Sequence, residues 1–211
     1  MSTKHELIYF DGPVRAEAIR ITLSTGNIPF TDTRLDFASF GAAKKEGKFP
    51  SGLPVLKVGD ALEFTQSIAI LRYAAKIAQS NNSDAASLYP TDSLKAMAVD
   101  EVLDITQDIS TRCPQNPDNE IKKKLREEYM EGKCKTYCQQ LEDRIAKSGG
   151  PFTTGSDLTI GDMHLAFLAI DRIETGSWDY IPKVRTGLVV VRFLNRLFLL
   201  NSDCLLHLFH L

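Results

Sequence analysis

The order of strand and helix signals near the N-terminus limits the folds open to this chain more than any other feature. Residues 5–10 contain the apolar run 7–10 and are followed by the Gly12-Pro13 turn, which predicts a buried strand over 5–10. A run with helical spacing follows, and Gly26 stands where a C-terminal cap belongs. Residues 30–35 then alternate like a second strand. Strand, helix and strand in this order predict a βαβ unit.

The next segment predicts a hairpin and a second helix. Two strand-like runs, 53–58 and 61–64, lie on either side of Gly59-Asp60, which we interpret as a tight hairpin turn. Gln66-Ser67 then opens another run with helical spacing. The polar stretch 38–50 is predicted to be irregular. The order β-α-β-loop-β-β-α predicts a small α/β sandwich of the thioredoxin type.

The strand signals stop in the second part of the chain. Residues 81–90 (NNSDAASLYP) are rich in turn formers and are predicted to be a linker. Helical spacing then recurs in three segments: 91–112, 118–148 and 160–174. Thr159 and Asp162 have the spacing of a capping box at the start of the last helix. We therefore predict a thioredoxin-like domain over 1–80 and an all-α domain over 91–211.

Composition excludes several classes of function. The net charge is −2, so no basic surface is available for a phosphate backbone and nucleic acid is not an expected partner. The first residues lead into no apolar signal segment, and four cysteines are too few for a secreted disulfide framework. Cys134 and Cys138 are interpreted as reduced helix thiols because no nearby His or Cys completes a metal set. We expect a cytoplasmic protein without a bound metal.

Residues at three predicted strand or helix ends are candidates for chemistry. Tyr9 ends the first strand, six residues before Arg15, and is either an ordinary strand aromatic or a hydroxyl placed for catalysis. Pro54 cannot donate to a strand ladder, so it belongs at an edge or a strand start. A trans Leu53-Pro54 bond is the commoner form, whereas a cis bond lets the Leu53 backbone pair with an extended peptide. Ser67, at a helix N-terminus, fits an N-cap or a carboxylate site.

Three segments resemble the cytosolic glutathione transferases in order and spacing: "YFDGPVRAEAIR", "GLPVLKVGDALEFTQSIAILRYAAK" and "DLTIGDMHLA". The resemblance covers roughly residues 4–181 and is closest to the sigma class, which includes glutathione-dependent prostaglandin D synthases and S-crystallins. It implies that glutathione is the co-substrate. It also implies that the Tyr9 hydroxyl donates a hydrogen bond to the glutathione sulfur and favours the thiolate, while Arg15 adds positive charge beside it.

The resemblance further implies a set of glutathione-binding residues from both predicted domains: Phe40, Lys44, Leu53, Pro54, Gln66, Ser67 and Asp100. The Leu53 backbone pairs with the cysteinyl part, and Gln66 and Ser67 hold the γ-glutamyl carboxylate. Phe40 stands where sigma enzymes usually have a tryptophan, so it keeps the packing surface and loses the indole N–H.

Two positions in this set leave alternatives open. Lys44 is placed to bind the glycyl carboxylate, and Lys45 or Lys48 serves after a small shift of the loop. Asp100 matches an acidic residue that reaches the glutathione amine of a neighbouring subunit, which implies a homodimer. Asp100 and Asp104, one helical turn apart, offer oxygen ligands to a divalent ion, but we interpret them as solvated interface charges.

The resemblance places the electrophile pocket between the turn after Tyr9 and one helix of the second domain, lined by Gly12, Pro13, Ile105, Asp108, Ile109 and Arg112. From about residue 183 the chain departs from the family, because the tail is apolar on nearly every face. We interpret the tail as a divergent or altered end. A membrane-surface anchor is the alternative, since a spanning helix needs about 20 apolar residues and the longest run is far shorter.

These features predict a glutathione transferase that conjugates the thiolate to small hydrophobic electrophiles. Two alternatives remain open. A glutathione-dependent isomerase or peroxidase uses the same thiolate. A non-catalytic relative binds ligands or serves a structural role. Tyr9 and Arg15 together favour catalysis, whereas the unusual tail favours a binder with little activity.

Overall fold

A computed structural model describes residues 3–12, 14–85 and 87–174. Pro13 and the apolar tail from about residue 183 lie outside the described residues, so the predictions made for them stay predictions. The first part of the chain holds a four-stranded sheet: β1 (His5–Phe10), β2 (Thr31–Leu35), β3 (Val55–Val58) and β4 (Leu62–Phe64). Three helices accompany it: α1 (Val14–Thr25), α2 (Phe37–Lys45) and α3 (Ser67–Asn81).

The sheet has the order β2-β1-β3-β4. β1 pairs with β2 in parallel and with β3 antiparallel, and β3 pairs antiparallel with β4. The predicted βαβ unit, hairpin and following helix are therefore confirmed, and with them the thioredoxin-like fold class. Val58 pairs with Leu62, so the hairpin loop has three residues, Gly59–Ala61, rather than the two predicted.

Residues 38–50 are not wholly irregular, because α2 occupies residues 38–45 of this stretch. The Asp36 carboxylate caps α2 by accepting a hydrogen bond from the Ser39 backbone N–H at 2.6 Å. This bond lowers the pKa of Asp36. None of the residues of α2 is buried, so its sequence has no apolar stripe to reveal a helix. The prediction was wrong for this physical reason.

Gly26 follows α1 as predicted, although its role is not that of a left-handed cap. Asn27 takes the positive φ of 52° instead. A Cβ atom on Gly26 would lie 2.3 Å from the Cβ of Ala78, so glycine is required here by the close approach of α1 and α3. The contact holds α1 against α3.

The second part of the described chain is helical, with α4 (Ser93–Thr111), α5 (Asn119–Tyr129), α6 (Lys135–Ser148) and α7 (Ile160–Glu174). The helix predicted over 118–148 is α5 and α6, joined by a π-helical turn, Met130–Cys134. In the part of the chain that the structure describes, no helix is long and apolar enough to cross a membrane.

The segment 81–90, predicted to be a linker, packs against the rest of the protein. It contains a 3₁₀ turn, Ser83–Ala85, and the buried side chains of Leu88 and Tyr89. The Asn82 side-chain amide donates to the Thr25 carbonyl at 2.7 Å. One core cluster continues across this segment, since residues of β1, α1 and α3 share it with residues of α4 and α7.

At the start of α7, the Asp162 half of the predicted capping box is formed, and both Thr159 and Asp162 are buried. The Asp162 carboxylate accepts hydrogen bonds from the Thr159 backbone N–H at 3.0 Å and the Thr159 hydroxyl at 2.8 Å. It also accepts one from the Thr153 backbone N–H at 2.8 Å, which ties the preceding loop to the helix. Burial raises the pKa of Asp162, and these donors oppose that rise by stabilising its ionised form.

Candidate functional site

The sheet register brings most of the predicted glutathione-binding segments to one edge. β1 and β2 are parallel, so Phe10 and Leu35 end side by side at this edge. β3 runs the other way and starts there, with Val55 opposite Ile8. β4 reverses again and ends at Phe64, so α3 begins at the same edge. The topology therefore assembles the site from segments far apart in sequence.

Tyr9 lies next to the end of β1, and its side chain is only 5% exposed. Its hydroxyl oxygen accepts a hydrogen bond from the backbone N–H of Arg15, in the first turn of α1, at 3.4 Å. Amides in the first turn of a helix have no partner within the helix. A phenol hydroxyl that accepts such a bond becomes a stronger donor toward an anion. The arrangement suits a hydroxyl that donates to a negatively charged atom.

Arg15 has an exposed side chain at this end of α1. Its positive charge acts on His164 of α7, and burial together with this charge lowers the pKa of His164 to about 4. His164 is therefore neutral at physiological pH. The Arg15 guanidinium thus supplies positive charge at the junction of α1 and α7, and the backbone amide of the same residue bonds to Tyr9.

The Leu53-Pro54 bond is cis, so the less common of the two alternatives is the one observed. Pro54 is buried, and Leu53 is half-buried against the main core. Both residues immediately precede Val55, which pairs with Ile8 of β1. The Leu53 backbone therefore lies at the sheet edge near the position of Tyr9.

Gln66 and Ser67 form the junction between β4 and α3. Ser67 is the first residue of the helix rather than its N-cap, so the N-cap interpretation of Ser67 was wrong. Gln66 takes the cap position with φ 74° and ψ 100°, and its side chain makes no capping hydrogen bond. A non-glycine residue in this conformation costs on the order of 1–3 kcal/mol, and such strain concentrates at ligand sites. The first-turn amides of α3 are thus left for another acceptor.

Phe40 and Lys44 of α2 lie beside the end of β1. The Phe40 ring contacts that of Phe10 edge-on, with centroids 5.0 Å apart, and the Lys44 Nζ lies 5.9 Å from the centroid of the Phe40 ring. Lys48 forms an ion pair with Glu46 at 2.9 Å. Of these two lysines, Lys44 is the one held next to the aromatic residue of the predicted site.

Asp100 of α4 already has partners within its own chain. Its carboxylate accepts hydrogen bonds from Arg72 Nε at 2.7 Å and from the Tyr89 hydroxyl at 3.1 and 3.0 Å. Burial and the bond to Asp100 raise the pKa of Tyr89. Asp104 lies 3.8 Å from Arg72 Nη2, so a guanidinium lies beside both carboxylates. Among the described residues no three His, Cys, Asp or Glu side chains form a group that could hold a metal ion.

The residues predicted to line the electrophile pocket differ in their neighbours and in how exposed they are. On α4, Asp108 accepts hydrogen bonds from the Tyr137 hydroxyl and from Arg112 Nε, each at 2.9 Å. These bonds lower the pKa of Asp108. Ile109 is buried in the core of the helical domain, with the half-buried Ile105 packed against it. Gly12 faces open space: a Cβ added there would meet nothing within 4 Å.

Arg20 is a residue that the sequence analysis missed. It is buried and donates to the Gly12 carbonyl at 2.9 Å, and it forms ion pairs with Glu17 at 2.9 Å and Asp32 at 3.0 Å. Its guanidinium carbon lies 6.0 Å from the centroid of the Tyr9 ring. Arg20 therefore fixes the turn that follows Tyr9 to α1 and β2. The Glu17–Arg20 spacing on one helix face was the available signal.

Comparison with known proteins agrees with this geometry. Residues 103–187 match a family model described as the glutathione S-transferase C-terminal domain. The class-mu 28 kDa glutathione S-transferase isozyme of Schistosoma japonicum is 28% identical over 196 residues, which cover 87% of this chain and 91% of that protein.

Solved structures share the fold at lower identity. The structure of prostaglandin synthase D of Nilaparvata lugens has a TM-score of 0.77 and 23% identity, covering 99% of this chain and 98% of that one. A sigma-class transferase of Fasciola hepatica has a TM-score of 0.67 and 21% identity, covering 96% and 92%. The chain is therefore similar to glutathione S-transferases in its C-terminal part, over most of its length and in its fold.

Proposed function

We propose that this protein binds glutathione at the described sheet edge and conjugates it to small hydrophobic electrophiles, with the Tyr9 hydroxyl donating a hydrogen bond to the glutathione sulfur. The observation that supports this most directly is the position of Tyr9, whose hydroxyl oxygen accepts a hydrogen bond from the Arg15 backbone N–H at 3.4 Å. A free cysteine thiol has a pKa of about 8.5, so a donor to the thiolate raises the reactive fraction at neutral pH. The exposed Arg15 guanidinium adds positive charge in the same region.

The same edge offers groups that complement each part of glutathione. The Leu53 backbone is placed to pair with the cysteinyl unit, and the first-turn amides of α3 with Ser67 are suited to the γ-glutamyl carboxylate. Lys44 supplies a cation for the glycyl carboxylate. Phe40 provides an apolar surface, and the open space over Gly12 leaves room for the electrophile.

We also propose that two copies of the chain form a homodimer in the cytoplasm. Leu94 and Met97 of α4 are 69% and 60% exposed, and they lie three residues apart on the helix that carries Asp100. A second copy that covers this face brings its own glutathione site toward Asp100. Sedimentation of the native protein is expected to give the mass of a dimer, and the mass of a monomer would remove Asp100 from the site.

The proposed activity is tested by retention on glutathione resin together with conjugation of a generic aromatic electrophile. A transferase is retained and conjugates. Retention without conjugation would instead indicate a protein that only binds ligands, and the absence of both would indicate a structural role. Reduction of an organic hydroperoxide with glutathione tests the peroxidase alternative in the same preparation.

Replacing Arg20 by lysine is expected to lower conjugation. Lysine keeps the charge, but it lacks the planar set of donors that reaches Glu17, Asp32 and the Gly12 carbonyl together. Hydrogen bonds to charged groups contribute about 1.5–3 kcal/mol, so the free energy of unfolding falls by roughly 2 kcal/mol. The rate of conjugation is expected to fall about tenfold because the turn after Tyr9 loosens.

Arg126→Lys is the matched control for this variant. Arg126 is equally buried and holds a loop of the helical domain through the Pro114 carbonyl at 3.1 Å and the Gln115 side chain at 3.0 Å. Urea denaturation is expected to show similar losses of stability for the two variants. The conjugation rate is expected to fall only in Arg20→Lys. Equal rates for the two variants would contradict a role for Arg20 in positioning the turn.

A further inference from the structure

Three cysteine thiols lie together in the helical domain, in a different core cluster from Tyr9. Cys113 follows α4, Cys134 ends the π-helical turn and Cys138 lies in the first part of α6. All three are reduced. The proposed glutathione chemistry uses none of them, so their arrangement calls for an explanation of its own.

Cys134 and Cys138 form a closely associated pair within this cluster. They are four residues apart, and Cys134 has helical dihedral angles of −62° and −43°. Cys134 is 2% exposed, whereas Cys138 is half-buried and so reaches the surface. The interaction between the two thiols, together with burial, raises the pKa of Cys134, and the same interaction lowers the pKa of Cys138. The pair therefore combines a protonated inner thiol with a more reactive outer one.

Helix geometry decides what this pair is able to bind. Side chains at i and i+4 have Cβ atoms about 5–6 Å apart, whereas a disulfide needs a Cβ separation of about 3.5–4.5 Å. A direct sulfur–sulfur bond therefore requires the helix to distort. One additional atom between the two sulfurs spans the distance without distortion, and thiolates select soft acceptors for that position.

The surroundings favour a three-coordinate acceptor that brings its own organic group. Among the described residues no third His, Cys, Asp or Glu side chain completes a metal-holding group with the two thiols. The neighbouring side chains of Ile109, Met130 and Leu141 are apolar and buried in the same cluster. A trivalent arsenic atom with one organic substituent needs only two sulfur ligands, and its substituent suits apolar surroundings.

We propose that Cys134 and Cys138 form a two-thiol site for trivalent organoarsenicals, independent of the glutathione site. Each cysteine sulfur replaces one hydroxyl group on an organoarsonous acid. Two arsenic–oxygen bonds break, two arsenic–sulfur bonds form, and the two thiol protons leave with the hydroxyl groups as two water molecules. Arsenic stays trivalent, so the step needs no oxidant or reductant.

The test is to titrate the full-length protein with phenylarsine oxide, which hydrates to such an acid, in the absence of glutathione. Intact mass is expected to show one phenylarsenic group per chain, with the loss of two titratable thiols. Cys138→Ser and Cys134→Ala are each expected to bind about a hundredfold more weakly, because one bond replaces two linked ones. Cys113→Ser, a change at an equally buried thiol of the same cluster, is expected to bind like the native protein.

Peptide mapping of the arsenic adduct on the protein without substitutions keeps the proposal falsifiable if a variant fails to fold. Cleavage after Glu131 and Glu142 releases residues 132–142, a peptide that contains Cys134 and Cys138 and excludes Cys113. The arsenic is expected on this peptide. The proposal is overturned if no adduct forms, if only one thiol is consumed, if the adduct maps to another cysteine, or if Cys113→Ser abolishes binding.

Discussion

Tyr9→Phe is expected to lower kcat/KM for glutathione conjugation by roughly 10- to 150-fold at neutral pH while the protein stays folded. The change removes only the hydroxyl, and the buried ring still fills its place in the core. A hydrogen bond to a charged group contributes about 1.5–3 kcal/mol, and about 1.4 kcal/mol corresponds to a factor of ten in rate. Glutathione affinity is expected to change little, because the proposed binding groups on Leu53, Ser67 and Lys44 remain.

Tyr73→Phe separates this effect from the general loss of a tyrosine hydroxyl, because Tyr73 is half-buried and its hydroxyl is also hydrogen-bonded. The Tyr73 hydroxyl of α3 lies 2.9 Å from Nε2 of His5, which is at the start of β1, the end opposite to Tyr9. Steady-state rates with a generic aromatic electrophile are expected to be near native for Tyr73→Phe. An unchanged rate in Tyr9→Phe, or equal losses in both variants, would contradict the role proposed for Tyr9.

Asp162→Ala is expected to cause the largest loss of stability, about 3–5 kcal/mol. The Asp162 carboxylate is fully buried, and its removal leaves the backbone N–H groups of Thr153 and Thr159 without their acceptor. Each buried unsatisfied donor costs about 1–3 kcal/mol, and a domain has only about 5–15 kcal/mol in total. Because α7 packs on both α1 and α4, the loss is expected to affect the whole fold.

Asp118→Ala is the matched control, because it removes a helix-capping carboxylate at an exposed position. Asp118 accepts from the backbone N–H groups of Glu120 and Ile121 at 2.9 and 3.0 Å, with water available to replace it. Its loss is expected to cost only about 1 kcal/mol. Urea denaturation of both variants measures the difference, and equal midpoints would show that burial of the Asp162 cap does not determine its contribution.

Local patterns in the sequence were sufficient for the strands of the sheet and for most of the helices, including strands β2 and β4, which have no buried residue. Strand alternation, turn residues and the Thr159–Asp162 spacing predicted the sheet, the hairpin and the start of α7, because each depends on residues close together in the chain. α2 was missed since it buries no side chain, and periodicity only reports burial. The left-handed residue after α1 is Asn27 rather than Gly26, and Gly26 is instead required by its close packing against Ala78.

Contacts between distant segments account for what the sequence could not predict at the site. Arg20 meets Asp32 of β2, and Asp100 of α4 meets Arg72 of α3, through pairs that no local spacing reveals. The family resemblance supplied the roles proposed for Tyr9 and Lys44. The sheet register supplied the reason that such separated residues share an edge.

The most direct test of the account is the thiol pKa of glutathione bound to the protein. Ultraviolet absorbance of the thiolate, followed across pH, measures this value for the native protein and for Tyr9→Phe. The account predicts a midpoint below that of free glutathione for the native protein, and a return toward the free value in Tyr9→Phe. The same midpoint in both proteins would contradict the claim that the Tyr9 hydroxyl stabilises the thiolate.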